Sequence, residues 1–137
     1  MGHPVRSAVY LDPDASVEPR TEDLLSRMTL QEKVGQLLML DAQHGDLEDI
    51  VWAKLAGSVL HVTPAQMLEA MERAQRTRLG IPLLTADDCI HGHSFWPGAT
   101  IFPTQLGMAC TWDPSLIHRV ARASAIEIST TGIHGTF

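Results

Sequence analysis

The chain has 137 residues, which is enough for one ordinary domain and too few for two. Its 45% hydrophobic and 19% charged residues are values typical of a globular protein, which excludes a disordered chain. The net charge of −6 comes without a clustered basic face and argues against a nucleic-acid partner, and no apolar run reaches the roughly 18 residues needed to span a membrane.

The first twenty residues are expected to form an extended lead-in, with a domain following over residues 21–137. Residues 1–20 contain three prolines and lack the apolar segment of a signal peptide. The sequence as written therefore predicts a cytoplasmic protein, or a secreted or periplasmic one if a leader has been removed.

Two helices are predicted next. Thr21 or Asp23 can cap a short first helix, and Thr29 with Glu32 forms a capping box that begins the second. The apolar residues of the second helix recur at the spacing of one buried helical face: Leu30, Val34, Leu37 and Leu38.

Three strands are predicted in the rest of the chain, over residues 57–62, 81–85 and 133–137. The helix between the first two begins at the capping box Thr63-Pro64-Ala65-Gln66, and Gly80 is placed to end it in the left-handed conformation. The helix before the third strand begins at Asp113-Pro114 and closes at Gly132.

The alternation of strands and helices predicts an α/β fold with parallel strands joined by crossover helices. Two architectures fit, a doubly wound sheet and the opening portion of a (β/α)₈ TIM-like barrel. The chain has no G-x-G-x-x-G or Walker-type motif, so the doubly wound alternative lacks its main functional support. Since a complete barrel takes about 250 residues, the barrel is expected to be incomplete in this chain.

Two carboxylates, Asp87 and Asp88, follow the strand at 81–85. In both architectures ligands bind at the carboxyl ends of the strands. Consecutive side chains of a strand point to opposite faces, so the two residues are not predicted to act as a catalytic carboxylate pair. Asp87 is expected to cap the loop or face solvent.

The long loop after these carboxylates carries further candidate residues. His91 is predicted to organise the loop through its ring nitrogens, and Trp112 to pack in the core. The spacing of His91, His93 and the aspartates matches no recognised zinc pattern, so no metal site is predicted. Cys89 and Cys110 are expected to be free thiols, although a disulfide across the loop is the alternative.

Several motifs occur in an order that carries a family resemblance. They are Asp23 to Leu37, Leu79 to Leu84, Asp88-Cys89-Ile90-His91-Gly92, Thr100-Ile101-Phe102-Pro103, Leu106-Gly107-Met108-Ala109 and Thr111-Trp112-Asp113-Pro114. Together they resemble the N-terminal part of the barrel domain of glycoside hydrolase family 3. The resemblance runs from about residue 21 to residue 137.

The resemblance implies a retaining, β-glucosidase-like exo-hydrolase that removes terminal non-reducing β-linked sugars through a covalent glycosyl-enzyme. Asp88 matches the family residue that binds hydroxyls of the sugar in the −1 subsite, and a carboxylate can accept two such donors. Phe95 and Trp96 are candidates for a platform under the sugar, or pack the loop down. A β-xylosidase of the same family and a non-catalytic carbohydrate-binding fragment remain as alternatives.

The resemblance also implies what lies elsewhere. The nucleophile and the acid/base of the family come from motifs further along the polypeptide, so neither is assigned here and the 137-residue chain alone is expected to be inactive. The expected partners are a β-linked oligosaccharide or glycoside, the remainder of the barrel and a second domain. No cofactor is expected.

Overall fold

The computed structural model describes residues 8–136. Its helices are α1 (Val17–Arg27), α2 (Leu30–Gly35), α3 (Pro64–Gln75), α4 (Gln105–Ala109) and α5 (Pro114–Thr130). A 3₁₀ turn covers Val9–Leu11 and a π-helical turn covers Asp49–Ala53. The strands are β1 (Met39–Asp41), β2 (Ser58–Leu60), β3 (Leu84–Asp87) and β4 (Gly135–Thr136).

The four strands form one parallel sheet in the order β1-β2-β3-β4. Leu40 pairs with Val59, Val59 with Thr85, and Ala86 with Gly135. Each strand therefore lies beside its successor in the chain, as in the opening of a (β/α)₈ barrel. The α/β class and the parallel sheet are confirmed.

Strand β1 is a difference from the sequence analysis, which predicted three strands and continued the second helix through Leu38. The helix α2 ends at Gly35, where a Cβ would meet the backbone of Lys54 and Leu55. The predicted buried face is wrong, since Leu30 is 79% and Leu37 is 85% exposed. A three-residue strand directly after a helix is too short to show its own periodicity.

The N-terminal lead-in also differs from its prediction. Helix α1 begins at Val17 after the N-cap residue Ser16, so the predicted cap at Thr21 or Asp23 is wrong, and the residues before 21 include its first turn as well as the 3₁₀ turn. Pro19 is accommodated because the first-turn N–H groups of a helix have no partner within the helix. Residues 1–7 lie outside the described part of the chain.

The helices α2, α3 and α5 begin where their sequence signals predict. The capping boxes at Thr29 and Thr63 are both formed, and the Asp113 side chain accepts from the amides of Ser115 and Leu116. Gly132, with φ of +83°, directly follows the C-cap of α5 as predicted. Gly80 has φ of +62° but does not end α3, because that helix already ends at Gln75.

The core lies between the sheet, the helices α3 and α5, and the turn at Asp49–Ala53. Its largest fully buried side chains are Ile50, Val59 and Thr85. Thr85 ties β3 to β4, because its Oγ1 lies 2.7 Å from the Gly132 carbonyl and 2.8 Å from His134 Nδ1. Trp112 was predicted in the core and is instead 92% exposed, since it lies in the turn between α4 and α5. Within residues 8–136, no helix is long and apolar enough to cross a membrane.

Candidate functional site

The carboxyl ends of three neighbouring strands bring four polar side chains together. Asp41 is the last residue of β1, His61 directly follows β2, and Asp87 ends β3 with Asp88 after it. Parallel pairing places these positions at the same edge of the sheet, because Asp41 pairs with Leu60 and Leu60 pairs with Ala86. This edge is where α/β folds bind their ligands.

His61 stands at the centre of this cluster. Its Nε2 lies 3.3 Å from Asp88 Oδ2 and 3.8 Å from Asp87 Oδ1. Its Nδ1 lies 3.4 Å from Asp41 Oδ1, close enough for an ionic contact but without the angle of a hydrogen bond. One imidazole ring thus contacts carboxylates from both neighbouring strands.

The environment of His61 favours its protonated form. Burial by itself lowers the pKa of His61. The contacts with Asp88 and Asp41 and the charge of Asp87 outweigh the burial, so the pKa of His61 is raised above its ordinary value of 6.5.

Asp87 differs from its prediction. It is only 4% exposed, so the expected solvent-facing position is wrong, while its Oδ1 does cap the loop by accepting from the amide of Asp88 at 2.8 Å. Asp87 and Asp88 were expected to point to opposite faces, but both reach His61 because the strand ends at Asp87 and alternation stops there. The side chain of Asp88 is 46% exposed and remains open to a ligand.

A cavity of about 200 Å³ lies next to this cluster. His61, Asp87, His93, Phe95 and Trp96 are among the residues that line it. Asp88 is not among those lining residues, and it reaches the cavity only through its contact with His61. The predicted ligand residue therefore stands beside the cavity, and its buried neighbour Asp87 faces into it.

The two loop aromatics lie on the histidines of the cavity. The Phe95 ring centroid is 5.9 Å from that of His61 at 55°, and the Trp96 ring stacks on His93 at 5.9 Å and 24°. Phe95 is 52% and Trp96 is 40% exposed, so neither ring is packed fully into the loop. Each ring keeps surface available for a flat ligand.

His91 joins the two ends of the loop. Its Nδ1 lies 2.9 Å from the Phe102 carbonyl, and the Phe102 amide donates to the His91 carbonyl at 2.8 Å. Gly92 has φ of +121° and lies directly against the backbone at Thr100, where no side chain would fit. These contacts close the loop that presents Phe95 and Trp96.

The cysteines are free, as expected, with Cys89 buried and Cys110 exposed. Cys89 Sγ lies 3.2 Å from His93 Nδ1, and burial raises the pKa of the Cys89 thiol to about 11. Among residues 8–136, no group of three or more His, Cys, Asp or Glu side chains is arranged so that it could hold a metal ion.

His61 was not singled out by the sequence analysis, which placed it inside a strand over residues 57–62. A signal was available, since His61 follows an apolar run and precedes the Thr63-Pro64 helix start. That is the same strand-end position that drew attention to Asp88.

Residues 29–137 match the model of the glycosyl hydrolase family 3 N terminal domain. The chain is 32% identical to β-glucosidase C of Emericella nidulans, over 91% of this chain and 24% of that protein. It thus spans about a quarter of the length of that curated relative.

Two solved structures are also similar. One is a β-glucosidase involved in saponin metabolism from intestinal bacteria, with 59% identity, a TM-score of 0.69, and coverage of 84% of this chain and 15% of that one. The other is a β-glucosidase from Listeria innocua in complex with isofagomine, with 34% identity, a TM-score of 0.74, and coverage of 89% and 18%.

Proposed function

The chain belongs to glycosyl hydrolase family 3, and from that premise we propose that the whole protein hydrolyses terminal non-reducing β-D-glucosidic bonds. The relatives described above are named β-glucosidases, which supports a glucoside as the substrate. In this proposal the residues described here form part of the subsite for the terminal sugar, and the bond chemistry belongs to carboxyl groups elsewhere in the protein.

The half-exposed Asp88 at the end of β3 is the observation that carries this proposal. Its Oδ2 is held by His61 at 3.3 Å, while its side chain keeps 46% of its surface open. A carboxylate held in this way can accept hydrogen bonds from sugar hydroxyls, and such charged bonds are stronger than neutral ones. Contacts of this kind can hold the sugar ring in the distorted shape of the transition state.

The aromatic residues of the loop complete the proposed subsite. Phe95 and Trp96 line the cavity next to the carboxylates and retain exposed ring surface. An aromatic face covers the apolar C–H surface of a pyranose, while the carboxylates take its hydroxyls. The combination of the two surfaces fits a monosaccharide unit.

The test measures hydrolysis by the full-length protein on 4-nitrophenyl β-glucoside and β-xyloside. Asp88→Ala removes hydrogen bonds to a charged group, and we expect kcat/KM on the glucoside to fall by about 100-fold or more. Glu22→Gln, an exposed change on α1, is the matched control and leaves kcat/KM unchanged.

Two results would count against this proposal. A loss of only a few-fold in Asp88→Ala would remove Asp88 from direct contact with the sugar. Faster turnover of the xyloside than of the glucoside in the wild-type protein would replace the β-glucosidase assignment with a β-xylosidase one.

A further inference from the structure

We propose that His61 is a positioning residue, which in its imidazolium form holds Asp88 in the orientation that binds the sugar. This inference rests on the proposed function and names a residue through which the subsite acts. The geometry that points to it is the convergence of Asp41, Asp87 and Asp88 on one ring, at 3.4, 3.8 and 3.3 Å.

The charge balance of the cluster supports an imidazolium at His61. Three carboxylates at one edge of the sheet repel one another, and the repulsion is strongest where burial lowers the local dielectric. Asp87 is buried and cannot turn out into water. An imidazolium between the carboxylates offsets this repulsion, and it leaves one oxygen of Asp88 held and the other available to a hydroxyl.

The backbone conformation of His61 also supports a positioning role. Its φ of +56° lies in the left-handed region, which non-glycine residues adopt uncommonly, although histidine adopts it more often than most. The amide of His61 donates to the Ala86 carbonyl at 3.3 Å, which anchors this turn to β3. Non-glycine residues held in this conformation cluster at functional sites, and here the conformation places the ring between β1 and β3.

The protonation state of His61 decides how firmly its ring holds Asp88. The charged groups facing the ring are Asp41 at the end of β1 and Asp87 and Asp88 at the end of β3. Two further titratable groups are nearby: His44, whose Nδ1 lies 2.9 Å from Asp41 Oδ2, and His93, which lines the cavity. A neutral imidazole donates from one nitrogen only and carries no charge. Sugar affinity is therefore expected to fall as the pH rises through the pKa of His61, which lies above 6.5.

The first experiment measures glucose binding by the full-length protein between pH 5.5 and 9, using isothermal titration calorimetry. Glucose does not titrate in this range, so a change in affinity reports on the protein. We expect wild-type affinity to fall about fivefold to tenfold across the range, the difference between a charged and a neutral hydrogen bond. His61→Asn, which tolerates the left-handed backbone, binds more weakly and without that pH dependence.

The matched control is His118→Asn, which alters an exposed histidine on α5 and keeps the wild-type profile. A His61→Asn protein with the same pH-dependent affinity as the wild type would overturn the proposal. Asp88→Ala serves as the reference for the subsite itself. If it binds glucose as tightly as the wild type, the proposed role of Asp88 fails.

A second experiment decides the pairing without any sugar. The Cε1–H resonance of His61 is identified in the full-length protein by its loss in His61→Asn, and its titration is followed by NMR. Asp88→Asn keeps the shape of the side chain and removes its charge, so the pKa of His61 is expected to fall. An unchanged titration of His61 in Asp88→Asn would overturn the inference. This result does not depend on glucose binding, so it can be told apart from a failure of the proposed function, which would show as a wild-type protein that does not bind glucose.

Discussion

At the scale of single residues, the environment of a side chain decides its chemistry here more than its type does. Asp87 and Asp88 are adjacent and identical, yet Asp87 is buried as a cap and Asp88 is half-exposed. The two cysteines are divided in the same way, with Cys89 buried beside His93 and Cys110 exposed. Asp88 and Cys110 are the members whose side chains are open to solvent.

The reactivity of the thiols tests this contrast. The thiolate is the reactive form, and the pKa of Cys89 is raised to about 11 by burial and by the charge of Asp87. We expect Cys89 to resist Ellman's reagent at pH 8 in the native full-length protein and to react fully after denaturation. The measurement compares a Cys110→Ser protein with a Cys89→Ser, Cys110→Ser protein, so that the difference in labelling reports on Cys89 alone. Rapid labelling of native Cys89 would contradict the buried position.

At the scale of elements, short polar signals set where the helices begin. The α3 capping box is complete, because Thr63 Oγ1 accepts from the Gln66 amide at 3.3 Å and Gln66 Oε1 accepts from the Thr63 amide at 3.0 Å. This cap lies two residues after His61. The cap therefore fixes the conformation of the short segment that joins β2 to α3, which includes His61.

Removal of this cap is expected to destabilise the protein. Thr63→Ala leaves first-turn amides without a partner and should lower the free energy of unfolding by about 1 kcal/mol. Thr63→Ser keeps the hydroxyl and should stay close to the wild type. Urea denaturation followed by circular dichroism measures both variants, and equal stability of all three proteins would argue against an energetic role for the box.

At the scale of the whole molecule, the described part of the chain is an open sheet with large apolar side chains on its surface. Strands β1 and β4 are its two edges, and Leu30, Leu37, Leu106 and Trp112 are 79 to 92% exposed. Unpaired strand edges and exposed apolar patches favour association. The predicted buried helical face is part of this exposed surface, because no element of the described residues covers Leu30 and Leu37.

The 137-residue chain expressed alone is therefore expected to self-associate, as measured by sedimentation velocity. The double change Leu37→Gln and Trp112→Gln should reduce the association, whereas the control Glu22→Gln should not. A monomeric chain at all concentrations would contradict this expectation. The isolated chain is also expected to leave 4-nitrophenyl β-glucoside uncleaved, and clear turnover would show that its own residues complete the catalytic site.

Much of the fold could be predicted from the sequence, but the candidate site only in part. The strands predicted over residues 57–62 and 81–85 overlap β2 and β3, because apolar runs ended at clear turn signals, although β3 begins only at Leu84. Strand β1 was missed because three residues carry no period. Asp88 was singled out as a ligand residue and remains a prediction, whereas His61 was assigned to a strand interior and passed over.

The sequence by itself determined the starts of α2, α3 and α5, the parallel α/β class and the family, because capping boxes, prolines and ordered motifs act over a few neighbouring residues. The tertiary structure alone decided that Asp41, His61 and Asp88 meet, that Asp87 is buried and that Trp112 is exposed. The physical reason is that these outcomes depend on the register of strands about twenty to twenty-seven residues apart in the chain, and no local pattern encodes that register.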